Sequence, residues 1–316
     1  MAKYRNNLPQ LSGGPFLTDG GLETVLIFKK GIDLPEFAAF DLLKNDEGVG
    51  VLADYFRTYS RIAKNLNMGF ILESPTWRAN PNWGKKIGYS DQDLDDMNQR
   101  SIELLCGVRE EFESENFPMV ISGQVGPSDD GYNPAEKLDI LRAEEYHAQQ
   151  IGSFAETEAD MVAAITMTYA EEAIGISRAA KAAGMPVAIS FTVETNGKLP
   201  SGRTLKDAIA LVDAATENYP AYYMINCAHP THFDFTLEED AEWTDRIHGT
   251  RVNSSKMSHA ELDEAEVLDE GDPLELAQDH NTLRSRLKNL NIVGGCCGTD
   301  HRHVEEIGKV FSANRG

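Results

Sequence analysis

Four cysteines occur in the 316 residues: Cys106, Cys227, Cys296 and Cys297. The last two are adjacent, inside the run Gly294-Gly295-Cys296-Cys297-Gly298. So few cysteines in a long chain do not make a disulfide framework; clustered ones point to metal binding or catalysis. Two adjacent cysteines can serve one metal only where the backbone bends sharply, because successive side chains of a strand point to opposite faces. The flanking glycines tolerate the backbone angles of such a bend. A third sulfur then comes from elsewhere, and Cys227, in Asn226-Cys227-Ala228-His229, supplies it. Three thiolates leave a tetrahedral zinc with one open position, the pattern of a reactive site. Sulfur ligands favour zinc over magnesium or calcium.

Three negative sulfurs reduce the Lewis acidity of the metal, which disfavours activation of water. An incoming thiol still loses its proton on coordination. It then stays nucleophilic at neutral pH, where a free thiol of pKa about 8.5 is mostly protonated. Attack of such a thiolate on an activated methyl group is an in-line displacement, achieved by activation and positioning. Other readings of the same residues are a vicinal disulfide at 296–297 and an unliganded cysteine pair in a glycine-rich turn. His229, His301 and His303 are further candidate ligands. A lone histidine on the final helix is more often a hydrogen-bonded structural residue, so the predicted metal set is Cys227, Cys296 and Cys297. Cys106 falls mid-helix and reads as a small buried hydrophobe.

The elements that must position these residues alternate along the chain. Short apolar runs rich in Val, Ile, Phe and Met are each followed by longer stretches of helical spacing. Predicted strands are Phe16–Asp19, Gly69–Glu73, Met119–Gln124, Met161–Thr166, Val187–Val193, Tyr222–Cys227, Arg246–Val252 and Ile292–Gly295. Predicted helices are Val49–Leu66, Asp91–Ser114, Ala143–Ala155, Ala170–Ala183, Leu205–Glu217 and Asp300–Phe311. The first has apolar residues at 51, 52, 55, 56, 59, 62, 63 and 66, a period of about 3.6. The fourth stops at Gly184 with Pro186 behind it. Eight βα units predict a single-domain (β/α)8 TIM barrel over residues 1–316, with an open doubly wound sheet as the alternative. No G-x-G-x-x-G follows the first strand, where the chain reads Thr18-Asp19-Gly20-Gly21. Barrel chemistry gathers where strands end and loops begin. Three of the four cysteines fall there, on the sixth and eighth strands.

Composition sets outer limits. Hydrophobic residues are 41% and charged residues 25%, ordinary for a globular protein with a buried core. The net charge of -22 repels a phosphate backbone and an anionic membrane surface, so neither nucleic acid nor membrane is expected as a partner. Much of the acid lies on expected helix faces, such as 91–96 and 261–270. The N-terminal ten residues carry no signal-type apolar stretch, and no run approaches the roughly 18 apolar residues of a membrane span. A cytoplasmic location is expected. The segment 76–88, with Trp77 and Trp83, reads first as packing, then as a lid or interface.

From Thr18-Asp19-Gly20-Gly21 to Gly294-Gly295-Cys296-Cys297-Gly298-Thr299, the chain resembles the homocysteine S-methyltransferase family. Asn226-Cys227 matches the family's other zinc cysteine. Ser190-Phe191-Thr192 with Ser201-Gly202 resembles its fifth-strand motif and loop, and His303 falls where the family has a histidine. The resemblance implies a (β/α)8 barrel, one zinc on the three cysteines, and homocysteine as the thiol. It implies that Asp19 binds the substrate ammonium and that the amides of Gly20 and Gly21 take its carboxylate, with Glu73 and Thr192 in the pocket. Many members carry a glutamate at the end of the fourth strand for the amino group; here the position is Ile165. Glu73-Ser74-Pro75-Thr76-Trp77 likewise replaces a Thr/Asn-rich stretch. Either Glu73 or Glu194 supplies the missing carboxylate, or the thiol lacks an amino group. The expected reaction is zinc-dependent methyl transfer from a sulfonium, S-methylmethionine or S-adenosylmethionine, to a thiol. A zinc hydrolase using Glu73 as base and a zinc or thiol sensor are the other readings.

Overall fold

The computed structural model describes residues 1–238, 241–265 and 267–313. Eight parallel strands close into one barrel in sequence order: β1 Phe16–Leu17, β2 Gly69–Glu73, β3 Met119–Val125, β4 Met161–Met167, β5 Val187–Phe191, β6 Tyr222–Asn226, β7 Ile247–Val252 and β8 Ile292–Gly295. All eight expected strands are present, most with ends shifted by one or two residues. The sheet closes because β8 pairs with β1, Val293 opposite Leu17. This is the (β/α)8 barrel; the open sheet is excluded by that closure. Among the described residues no helix is long and apolar enough to cross a membrane.

Strand periodicity sorts the core into two parts. Val162 and Ala164 of β4 face out toward the helices, within the large outer cluster, while Met161, Ala163 and Ile165 face in. Phe16, Ile71, Val120, Ala188, Tyr222, Met224 and Ile292 fill the barrel interior with them. Leu8 packs against this column, and Tyr4 is half-buried beside it. At the N-terminal end of the strands, Asp160 accepts from the amides of Tyr4 (2.7 Å) and Ile121 (2.9 Å) and from Arg109 (3.0 Å). The same inward phase continues toward the C-terminal ends with polar residues, Glu73 after Ile71 and Asn226 after Met224. The interior therefore passes from an apolar plug into a polar mouth.

The helices are Asp46–Asn65, Asp91–Phe112, Ile140–Ala155, Ala170–Ala182, Leu205–Thr216, Pro273–Arg286 and His301–Ala313, with shorter turns between. Side chains start several of them: Ser90 and Asp93 form a reciprocal capping box, and Asn45, Asp139 and Thr204 accept from the first-turn amides. Pro273–Arg286 is missing from the sequence reading, because its apolar positions are sparse and Asp272 and Pro273 mark its start only locally. The acidic stretch 261–270 is not a helical face: the helix there ends at Asp263, and Glu266 lies outside the described residues. Cys106 is only half-buried and its thiol meets Glu158 at 3.7 Å, rather than lying in the core.

Candidate active site

The three sulfurs of Cys227, Cys296 and Cys297 lie within 4.8 Å of one another at the C-terminal mouth of the barrel. Cys296 and Cys297 follow β8 directly, and Cys227 follows β6. The bend after β8 depends on glycine at Gly298, where φ is +78°. Cys227 itself has φ +52° and Thr166 has φ +67°, a left-handed conformation that non-glycine residues rarely hold. The side chain of Asn226 holds the one at Thr166. Asn226 Oδ1 accepts from the Thr166 amide (3.0 Å) and the Ser190 hydroxyl (2.6 Å), while its Nδ2 donates to Thr166 Oγ1 (2.8 Å). This ties the ends of β4, β5 and β6 together. The carbonyl of Cys227 accepts from His259 Nε2 (2.7 Å), and His259 Nδ1 faces Glu194 (3.2 Å).

Cys227 and Cys296, with Cα atoms 5.5 Å apart, have their sulfurs in contact as a disulfide pair; Cys297 is free. The adjacent pair 296–297, the disulfide considered from sequence, is not the one formed. In reduced form the three thiols fit a metal. Zinc–sulfur bonds of about 2.3 Å place tetrahedral sulfurs about 3.8 Å apart, inside the observed spread. His303 is outside the cluster: it is buried, with Nδ1 on Asp300 (3.1 Å) and Nε2 on the Glu270 carbonyl (2.8 Å). His229 faces Thr231, and burial lowers its pKa to about 4. His301 is exposed.

The sulfurs open into a cavity of about 470 Å³. Asp19, Gly20, Gly21 and Glu73 line it, as do Ile165 and all three cysteines. Thr192 does not; it lies behind the wall, its hydroxyl 3.4 Å from the Cys227 carbonyl, because that inward position is covered by the turn at Cys227. Asp19 is not free for an ammonium. Its Oδ1 pairs with Arg251 at 2.6 Å and its Oδ2 accepts from Tyr55 at 3.1 Å. Burial lifts the Asp19 carboxyl above its ordinary range, and Arg251 opposes that. The amide of Gly21 is likewise taken, by the carbonyl (3.1 Å) and hydroxyl (3.2 Å) of Thr299. Of the two proposed substitute carboxylates, Glu73 is on the cavity and Glu194 is not. Glu73 Oε2 is buried without a partner among the described residues, and burial raises its pKa to about 7.

Several residues here escaped the sequence reading. Arg251 on β7 is in phase with inward-facing Gly249, so its charge in a strand was a usable signal. Glu23, whose burial raises its pKa to about 7, comes from the short helical turn Leu22–Thr24, and Tyr132, whose hydroxyl lies 3.5 Å from Cys297 Sγ, from a loop, neither of which periodicity reaches. Trp77 and Trp83 line the cavity rather than only packing beneath it.

Solved structures with the same fold include the homocysteine methyltransferase MmuM from Escherichia coli. Its metallated form matches at 17% identity and a TM-score of 0.73, covering 94% of this chain and 97% of that one. Its oxidized form matches at 17% identity and a TM-score of 0.75, covering 96% and 99%. No curated protein sequence matches the chain. The homocysteine S-methyltransferase family model, however, matches residues 16–311. With its eight-stranded barrel and nearly its whole length matched, the chain belongs to the homocysteine S-methyltransferase family.

Proposed function

We propose that the protein is a zinc-dependent thiol S-methyltransferase that moves a methyl group from a sulfonium donor to homocysteine. The observation that carries this reading is the three-sulfur cluster opening into the barrel-mouth cavity. Cys227, Cys296 and Cys297 are the residues that would hold the metal, which when bound supplies a thiol in deprotonated form.

The rest is work for the chain's own side chains. Asn226, His259 and Thr192 hold the strained turn that presents Cys227. Glu36, Asp130, Asp263 and Asp269 line the outer cavity and favour a cation there, which suits a sulfonium. Trp77, Trp83, Tyr132 and Phe28 add aromatic walls that exclude water. In the transfer a carbon–sulfur bond forms to the acceptor thiolate while the donor's carbon–sulfur bond breaks. The donor sulfur keeps the electron pair and becomes a neutral thioether. With Asp19 tied to Arg251, Glu73 is the carboxylate on this wall placed to meet an amino group. Ile165, apolar and on the cavity wall, favours a second reading in which the thiol lacks that group.

An acceptor-by-donor screen, read by mass spectrometry on reduced protein supplied with zinc, tests the proposal. Homocysteine with S-methylmethionine or S-adenosylmethionine should give methionine. 4-Mercaptobutyrate methylated as well or better would replace homocysteine as the acceptor. No methylated thiol from any pair would overturn the function.

A further inference from the structure

The cavity holds a cation to which the described residues give no direct partner. Arg78 follows Trp77 in the segment between β2 and the short helix Pro81–Lys86. Its guanidinium carbon lies 3.3 Å from the centroid of the Trp83 ring and 4.3 Å from that of Trp77. The residue is 8% exposed and lines the cavity. Its Nε and Nη1 are buried with no acceptor among the described residues. Asp130, Glu23 and Glu36 act on it only through space, and burial lowers its pKa to about 10. Arg251, the other arginine of the cavity, differs: it is paired with Asp19 and also donates to the carbonyls of Gly20 (3.3 Å) and Gly295 (3.2 Å).

A desolvated guanidinium with unmet N–H groups is unfavourable unless something else satisfies it. Two indoles flanking it hold the fork in place, and a fixed fork matches a carboxylate through two parallel hydrogen bonds. The position is apt. Trp77 Nε1 donates to the Ile165 carbonyl (3.2 Å), and the neighbouring Thr166 hydroxyl is 3.8 Å from Cys227 Sγ. The amide that would otherwise take a carboxylate, at Gly21, is occupied by Thr299.

We propose that Arg78 binds the carboxylate of a substrate, so that this chain selects its amino-acid substrate by the acid end. The inference rests on the methyltransferase reading above. A carboxylate is common to the thiol acceptor and the sulfonium donor, and the experiment separates the two.

Full-length, zinc-loaded, reduced protein is titrated by calorimetry and by the fluorescence of the flanking tryptophans. The acceptor arm compares homocysteine with 3-aminopropane-1-thiol, which lacks only the carboxylate. The donor arm compares S-methylmethionine with its decarboxylated counterpart. In one arm, removing the carboxylate should weaken binding about tenfold to a hundredfold, as expected for a charge-assisted pair. Arg78→Met should weaken the intact substrate of that arm by the same factor and leave the decarboxylated one nearly unchanged. Arg78→Lys should fall between. A response in the acceptor arm assigns Arg78 to the thiol, and one in the donor arm to the sulfonium. If neither arm responds while methyl transfer persists, this inference falls and the function stands. If the wild-type protein binds no thiol and no sulfonium, the function falls and takes the inference with it. Should Arg78→Met fail to fold, the wild-type ligand series decides.

Discussion

The two ends of the barrel bury charge in opposite ways. At the N-terminal end, Arg109 and Asp160 pair at 3.0 Å, and Asp160 takes two backbone amides as well. Arg5 donates to the carbonyls of Ala155, Thr157 and Ala159. No fully buried nitrogen or oxygen of these three side chains lacks a partner among the described residues; the amide oxygens of Gln10 and Asn291 stay unmet nearby, as does Nη1 of Arg284 in the outer helix Pro273–Arg286. At the C-terminal end, Glu73 Oε2, Arg78 Nε and Nη1, and Arg251 Nη1 are buried and unmet. The charges around Asp160 at the closed end are satisfied without a ligand, and those lining the open end are not. Unmet buried charge is destabilising, so its concentration at one end marks where binding energy is still to be gained.

Breaking the sulfur corner should have the largest effect at the open end. Cys296→Ala should lower zinc affinity by more than about 100-fold and abolish methyl transfer with little change in the melting curve of the metal-free protein. Zinc is read by elemental analysis of reduced protein; a full equivalent retained would remove Cys296 from the metal set.

At the closed end the effect should be on stability alone. Asp160→Ala leaves two amides unpaired and Arg109 with only the more exposed Glu158, 3.6 Å away, and should cost about 3 kcal/mol in urea unfolding. The KM for either substrate should not move; a shifted KM would mean that the two ends are coupled.

The pH response sharpens the contrast further. Burial raises Glu73 from 4.5 to about 7. Between those values the folded chain holds a proton that the unfolded chain has released, so this group's contribution to stability falls as pH rises. Relative to the wild-type protein, Glu73→Gln should gain on the order of 3 kcal/mol on going from pH 4.5 to pH 8. Glu23 titrates in the same range in both proteins and cancels. Urea melts at the two pH values check this, and parallel stability profiles would contradict the raised pKa.

The smallest effect is expected at Cys106. It sits on a helix flank beside Glu158, far in sequence from the other three cysteines, and burial raises its pKa to about 11. Cys106→Ser should leave zinc content and transfer unchanged and stability within about 0.5 kcal/mol.

Most of the fold was legible because periodicity is local. A buried parallel strand is a short apolar run, and an amphipathic helix repeats about every 3.6 residues. Pro273–Arg286 escaped because its apolar stripe is weak. The sulfur cluster was legible for another reason: cysteine is rare in this chain, and adjacency within a glycine run is a local signature. The pocket was less legible. Asp19 and Gly21 sit at the cavity as expected from the family, yet Arg251 and Thr299, hundreds of residues away in sequence, already occupy their hydrogen bonds.

The sequence by itself determined the alternation of strands and helices and the residue types of the sulfur cluster, since each is written in neighbouring residues; closure rests on the pairing of β8 with β1, hundreds of residues apart. Only the tertiary structure decided which polar groups are spent on one another and which remain for a ligand. That depends on distances between strand ends and loops, such as Asp19 to Arg251 or Arg78 to the two indoles, which no local pattern encodes.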